Sequence, residues 1–278
     1  MRNWSLVFFT LFTQSAVGIV WVNVLSRWFG ENRTGGLSSL PMIAAFVVSG
    51  SGLLMALVHL AKPRLAPHIL RNLGFSWLSR EVLLVQAFVG AVALLVLLSL
   101  LDVSGGMVVL ETAVCLLGGA ALFAMTRVYM LKTVPVWNSP ATCLEFAGSA
   151  ALLGGALSFV LSALEGTTHF CWSTVVVISG VAIVSGLALK IAAISPARAA
   201  EKAAGDQSWY ETAATPLSTG TLLTARLVLF LIGSIMVMAA LSLTGPAWLW
   251  AALGLACFST GEVLGRQHFY RSYRRIGL

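Results

Sequence analysis

The chain has 278 residues, 58% of them hydrophobic and only 10% charged, with a formal net charge of +7 and a mean hydropathy of +0.92. So apolar and charge-poor a composition excludes a soluble globule and places the chain in a lipid bilayer. No nucleic-acid partner is expected.

A hydrocarbon core about 30 Å thick needs roughly 20 apolar residues per helical crossing. The sequence divides into eight such runs, at 4–26, 37–60, 80–101, 107–128, 143–164, 171–194, 217–241 and 246–265. The expected fold is therefore an all-α integral membrane protein, a single membrane domain over 1–278 with eight transmembrane helices and both termini on one face. The first run carries Gln14 and Asn23 and lacks a small-residue cleavage site, so it reads as a membrane helix and not as a signal peptide. The longest stretch between spans, SPARAAEKAAGDQSWYETAATP at 195–216, is polar and Ala-rich and predicts one surface helix. No soluble catalytic domain is expected. Pro63, Pro67, Pro135, Pro140, Pro196, Pro216 and Pro246 all mark ends of spans.

Cys115, Cys143, Cys171 and Cys257 are scattered singly and read as small apolar packing residues, without the paired spacing of a metal site. Glycines within the spans, as at 49–52, 118–119 and 154–155, predict close helix approach and a compact bundle.

Charge sorts by face. Side A, which carries both termini and the loops after the second, fourth and sixth spans, collects Arg2, Lys62, Arg64, Arg71, Arg80, Arg127, Lys132, Lys190, Arg198, Lys202, Arg266, Arg271, Arg274 and Arg275, with Arg226 just inside. Side B holds Arg27 and Arg33 together with Glu31, Asp102, Glu111 and Glu165. The positive-inside rule makes side A cytoplasmic. The same positive surface suits an acidic docking partner or anionic headgroups.

Ionisable residues within the apolar zone also gather toward side A. His59 ends the second span, Glu81 begins the third, Arg127 and Tyr129 end the fourth, Glu145 begins the fifth, Arg226 lies in the seventh, and Glu262 and Arg266 close the eighth. Glu145 is consistent with a helix N-terminal role. Glu262 and Arg266, four apart, invite an internal ion pair. Arg80 and Arg266 suit snorkelling to headgroups. His59, Glu81 and Arg226 are harder to assign to packing, because intramembrane ionisable groups are costly and mark pathways or sites. A histidine and a carboxylate at the membrane rim can take the two protons of a quinol. His59, His68, His169 and His268 do not sit at opposed depths on helices, so no haem and no metal are expected in this chain. The electrons then pass directly to a partner docked on side A.

Four segments in order, VHLAKPRLAPHILRNLGFSWLSREVL, TRVYMLKTVPVWNSPAT, TARLVLF and TGEVLGRQHFY, resemble the membrane anchor subunit of the dimethyl sulfoxide reductase family of molybdoenzymes. The resemblance runs essentially from end to end. It rests on the His-Leu-x-x-Pro motif from His59 to Pro63, the Ser-x-Glu start from Ser79 to Glu81, the run from Arg127 to Trp137, and Gly-Glu-x-x-Gly-Arg from Gly261 to Arg266. It implies an eight-helix anchor of the bacterial inner membrane, without haem, that binds menaquinol and passes electrons to an iron–sulfur subunit. That subunit feeds a molybdopterin catalytic subunit in anaerobic respiration. The resemblance carries the quinol-site histidine onto His59, the site glutamate onto Glu81 and a function-linked arginine onto Arg226. Arg127 and Tyr129 complete the expected quinol-binding set, and Lys62, Arg64 and Arg71 are expected to hold the iron–sulfur partner. A more distant resemblance is to the polysulfide-reductase-type membrane subunits.

The family implies quinol oxidation near the periplasmic rim, whereas the loop charges turn side A to the cytoplasm; the sequence alone leaves both open. Two other function classes compete. An assembly anchor would need the basic face but not His59 or Glu81. A secondary transporter would need a midplane site at broken helices.

Overall fold

In the computed structural model, the described residues are 4–30, 39–59, 72–103, 106–165, 173–207, 219–242 and 245–273. They form eight long helices: α1 Trp4–Phe29, α2 Ser39–His59, α3 Trp77–Leu100, α4 Met107–Tyr129, α5 Pro140–Leu164, α6 Thr174–Gln207, α7 Thr219–Ser242 and α8 Ala247–Arg271. All eight contain a stretch long and apolar enough to cross a bilayer.

Local chemistry sets several starts. The Ser76 hydroxyl accepts the Ser79 N–H at 3.3 Å and begins α3 three residues before the apolar run suggests. Ser139 caps α5 in the same way, accepting from Ala141 N–H at 3.3 Å, with Pro140 at the first helical position, where its missing N–H costs nothing.

α1 lies at the centre, touching α2, α4, α5, α6 and α8. Thr13 through Val20 are buried without a break, as expected of a helix enclosed on all sides. Its closest approach is to α5, where the two backbones meet at Gly18 and Gly154: a Cβ on either would run into the other's backbone. Without a hydrophobic force between helices in lipid, such small-residue contacts let van der Waals packing hold the pair. α5 packs on α6, α7 on α8, α3 on α4, and α8 also on α5.

Two expectations change. The polar stretch after 194 does not begin a separate surface helix. α6 continues through Pro196 to Gln207, about 50 Å at 1.5 Å per residue against a hydrocarbon core of about 30 Å. Pro196 therefore does not mark an end. A proline removes one backbone hydrogen bond and crowds one carbonyl, and tertiary contacts hold the continuation: Ser139 donates to the Pro196 carbonyl at 3.3 Å and Glu201 meets His268 at 3.3 Å. α8 likewise runs to Arg271, because its last turn carries Phe269 and Tyr270 into an aromatic cluster.

The alternation of faces follows from contacts at each end. The starts of α1, α3 and α5 meet the ends of α4 and α8, through Thr10, Glu81, Phe146, Tyr129 and Tyr270. At the opposite rim, Arg27 at the end of α1 bridges Glu111 at the start of α4, and the Trp28 indole donates to Glu111 Oε2 at 3.0 Å.

Candidate functional site

Two buried polar clusters lie in the side A half, joined by α8. The first is at the rim. Glu81, one turn into α3, is 2% exposed, and its Oε1 has no hydrogen-bond partner among the described residues. It lies close enough to Tyr129 and Tyr270 to act on both phenols electrostatically. The two phenol oxygens are 2.9 Å apart, and Tyr270 also reaches Thr10 Oγ1 at 3.4 Å. Aromatic rings enclose the pair. Trp137, Phe146, Phe269 and Tyr270 all meet Tyr129 edge-on, with centroids 5.5, 5.6, 5.6 and 5.5 Å away. Trp137 stacks on Phe269 at 5.1 Å and donates its indole N–H to the Phe269 carbonyl at 2.8 Å. These are the edge-to-face and stacked geometries that ring quadrupoles favour. The cluster thus sets one buried carboxylate and one phenol pair among aromatic rings.

The second cluster lies deeper, between α5, α6, α7 and α8. Lys190 Nζ is 2.7 Å from Glu145 Oε2, 2.7 Å from the Glu145 carbonyl, 2.7 Å from Ser149 Oγ and 2.9 Å from Glu262 Oε2. Arg226 donates to Glu145 at 3.1 and 3.4 Å and to the Gly261 carbonyl at 3.2 Å. Gly265 leaves the space its guanidinium occupies, since a Cβ there would overlap Arg226 Cζ. Ser149 donates to Glu262 Oε2 at 2.5 Å. Arg266 gives hydrogen bonds to Gln14 Oε1 at 2.7 Å and Ser149 Oγ at 3.1 Å, and its guanidinium lies 4.0 Å from the centre of the Phe146 ring. A network so densely paired in a low-dielectric interior fixes five helices against one another.

Of the residues singled out in the sequence, Glu81 and Tyr129 fall together in the first cluster. Arg226 falls in the second, bonded to Glu145. His59 is the last residue of α2, which packs on α3. Arg127 is exposed on the outside of α4, its guanidinium 5.4 Å from the Trp77 ring centre. Lys62, Arg64 and Arg71 lie outside the described residues, as do His68 and His169.

Several roles differ from the sequence reading. Glu145 does not cap α5, which Ser139 does, but pairs with Lys190 and Arg226. Glu262 forms its ion pairs with Lys190 and Arg226, at 2.9 and 3.9 Å, and is linked to Arg266 through the Ser149 hydroxyl. Arg266 is buried and does not snorkel. Lys190, counted among the cations of the basic face, is only 3% exposed. Sequence reasoning passed over Lys190, Ser149, Gln14, Thr10 and Tyr270 as site residues. A lysine in the otherwise apolar run VSGLALKIAAI was the one visible signal.

The family model for the DMSO reductase anchor subunit (DmsC) matches residues 1–271. The protein is similar to the anaerobic dimethyl sulfoxide reductase C-chain of Escherichia coli, 29% identical over 286 residues that cover 100% of the present sequence and 97% of that protein. It is also similar to anaerobic dimethyl sulfoxide reductase chain YnfH of the same organism, 26% identical over 291 residues, with coverage of 100% and 97%. The anaerobic dimethyl sulfoxide reductase C-chain of Haemophilus influenzae is 29% identical over 161 residues, 56% of the present sequence and 57% of that one. No solved structure matches. The eight membrane-spanning helices and the match along almost the whole length lead to one conclusion: this protein belongs to the DMSO reductase anchor subunit family.

Proposed function

We propose that this multi-pass membrane anchor also oxidises a quinol, menaquinol by the family resemblance, at the first cluster near the side A rim. The observation that carries the reading is the Glu81 carboxylate, buried in an aromatic setting with one oxygen unpartnered. Buried polar groups are paired as a rule, and an unpaired one calls for a partner such as a ligand or a water. A quinol hydroxyl is such a donor. In this reading it gives its hydrogen bond, and then its proton, to Glu81, while His59 at the end of the neighbouring α2 serves the other hydroxyl. The ring lies against the aromatic cluster around Tyr129, and the Tyr129–Tyr270 pair supplies a further donor and acceptor.

Arg226 acts at one remove here. Its bonds to Glu145 and Gly261 support a role in holding α5, α7 and α8 in register, so that Phe146 and Tyr270 present the walls of the site. The electrons leave without a haem of this chain to an iron–sulfur subunit docked on side A, and from there to a molybdopterin subunit, in the bacterial inner membrane. Protons are released at the same face that receives the electrons.

The test is turnover and inhibitor titration in membranes holding the assembled complex. Glu81→Gln and His59→Arg are each expected to lower quinol-driven turnover at least tenfold, a modest loss for a positioned proton acceptor, whose contribution is typically about 10²–10⁴-fold. Turnover driven by an artificial donor that feeds the partner subunits directly stays at the wild-type level. If both variants bind a quinol-site inhibitor and oxidise quinol as the wild type does, the site is elsewhere.

A further inference from the structure

At the same rim, but on the outer surface of the bundle, two guanidinium groups share one indole. Arg80 lies 4.4 Å and Arg127 5.4 Å from the centre of the Trp77 ring. The two cations are therefore within about 10 Å of each other, one Debye length at moderate salt. Neither has a carboxylate partner among the described residues. Arg80 is not loose: its Nε donates to the Leu73 carbonyl at 2.8 Å and one terminal nitrogen to the Gly74 carbonyl at 2.6 Å. That fixes the guanidinium and leaves its other terminal nitrogen to meet a ligand. Arg127, in the last turn of α4, makes no such backbone contact among the described residues and is exposed.

The surroundings are apolar. Phe75 is 98% exposed in the turn before α3, and Leu78 is also exposed. Phe123, half exposed, meets Trp77 edge-on at 5.7 Å. Below Arg127, the exposed side chains Phe123 and Leu116, seven residues apart on α4, make one stripe running about 16 Å into the bilayer at 1.5 Å per residue. Tryptophan settles at the headgroup level, so this pair of charges stands at the depth of lipid phosphates, above a track of acyl-chain length.

We propose that Arg80, Trp77 and Arg127 form a binding site for one anionic glycerophospholipid, its phosphate between the two guanidiniums and an acyl chain along Phe123 and Leu116. Guanidinium forks match phosphate oxygens in geometry and charge. The site is independent of the quinol reading, although Trp77 and Glu81 lie one turn apart on α3, which puts the lipid at the outer edge of the first cluster.

The assembled complex in detergent is probed by native mass spectrometry with dioleoyl phosphatidylglycerol and dioleoyl phosphatidylcholine. The wild type is expected to hold one phosphatidylglycerol roughly tenfold more tightly than phosphatidylcholine, the worth of one charge-assisted contact. Arg80→Gln/Arg127→Gln loses that preference, while Arg80→Lys/Arg127→Lys keeps part of it. Should the double variant fail to assemble, Arg127→Gln alone carries the test, because this exposed side chain bonds no carbonyl among the described residues. Equal retention of the two lipids by the wild type overturns the proposal, as does an unchanged preference in the glutamine variants. Displacement of the lipid by millimolar inorganic phosphate assigns the site to a free anion and overturns it too. So does release of the iron–sulfur subunit from the glutamine variants with lipid retention intact, which assigns the arginines to protein docking.

Discussion

Lys190→Met isolates the energetics of the deeper cluster. The substitution keeps most of the side chain's length and removes one charge from a position 3% exposed. The ammonium has three protons for four acceptors, Glu145 Oε2, the Glu145 carbonyl, Ser149 Oγ and Glu262 Oε2, all within 2.9 Å. After its loss Glu145 keeps Arg226, but Glu262 keeps only Ser149 and an arginine 3.9 Å away. Leaving a buried charge without its partner costs about 3–5 kcal/mol. At roughly 2–4 °C per kcal/mol for a chain of this size, the thermal midpoint of the solubilised protein should fall by about 10 °C. Lys190→Met/Glu262→Gln removes both members of the pair and should recover about half of the loss, because the stranded charge is gone. The measurement is a thermal unfolding series of wild type, both single variants and the double variant in one detergent. A Lys190→Met protein that melts with the wild type, or a double variant no more stable than Lys190→Met, would refute the reasoning.

Three further outcomes follow from the same structure. Tyr129→Phe keeps the ring and removes the 2.9 Å phenol bond: it should cost about 1 kcal/mol of stability and lower quinol-driven turnover, while artificial-donor turnover is unchanged. The purified protein should show no reduced-minus-oxidised haem band; a band stoichiometric with the protein contradicts the proposed direct electron exit. Reporter fusions after Arg33, Ser104, Thr167 and Thr244 should report one compartment, and those after Leu70, Val136, Gly205 and Gly277 the other.

The spans were legible because their signal is additive. About twenty apolar residues identify a crossing whatever the neighbours do, and the predicted and observed helices differ mainly where capping or tertiary contacts decide, as at Ser76 and beyond Pro196. That Glu81 and Tyr129 both lie toward side A was legible as well, since each sits at a helix end; that they are buried in one cluster comes from the packing of α3, α4 and α8. The deeper cluster was not. Lys190 meets Glu145 across 45 positions and Arg226 meets it across 81, and no spacing along one helix encodes such pairs. Hydropathy ended the sixth span at 194, which put Lys190 one turn from the interface and counted it among the cations of the basic face. The observed α6 continues thirteen residues further, to Gln207, and its face at Lys190 packs on Gly148 of α5. The Gly-Glu-x-x-Gly-Arg motif was visible as a pattern, but its reason is three-dimensional: the Gly261 carbonyl receives Arg226, and Gly265 leaves room for it.

The two clusters are connected by one stripe of α8, where Glu262, Arg266 and Tyr270 recur every four residues and so share a face. Along this stripe the chemistry changes from ionic to phenolic. Lys190, Arg226 and Arg266 are three buried cations; Glu145 and Glu262 are two carboxylates, both committed to Lys190 and Arg226. Among the described residues, Arg266 bonds the neutral groups of Gln14 and Ser149 and faces the Phe146 ring, whose edge meets the phenol of Tyr129. The deeper cluster therefore carries one formal positive charge more than its carboxylates match, directed toward the aromatic rings. Glu81 lies against the same phenols, at the rim end of this stripe. The α8 stripe thus joins an ion-paired core that ties five helices together to a rim where a buried carboxylate and two phenols lie among aromatic rings.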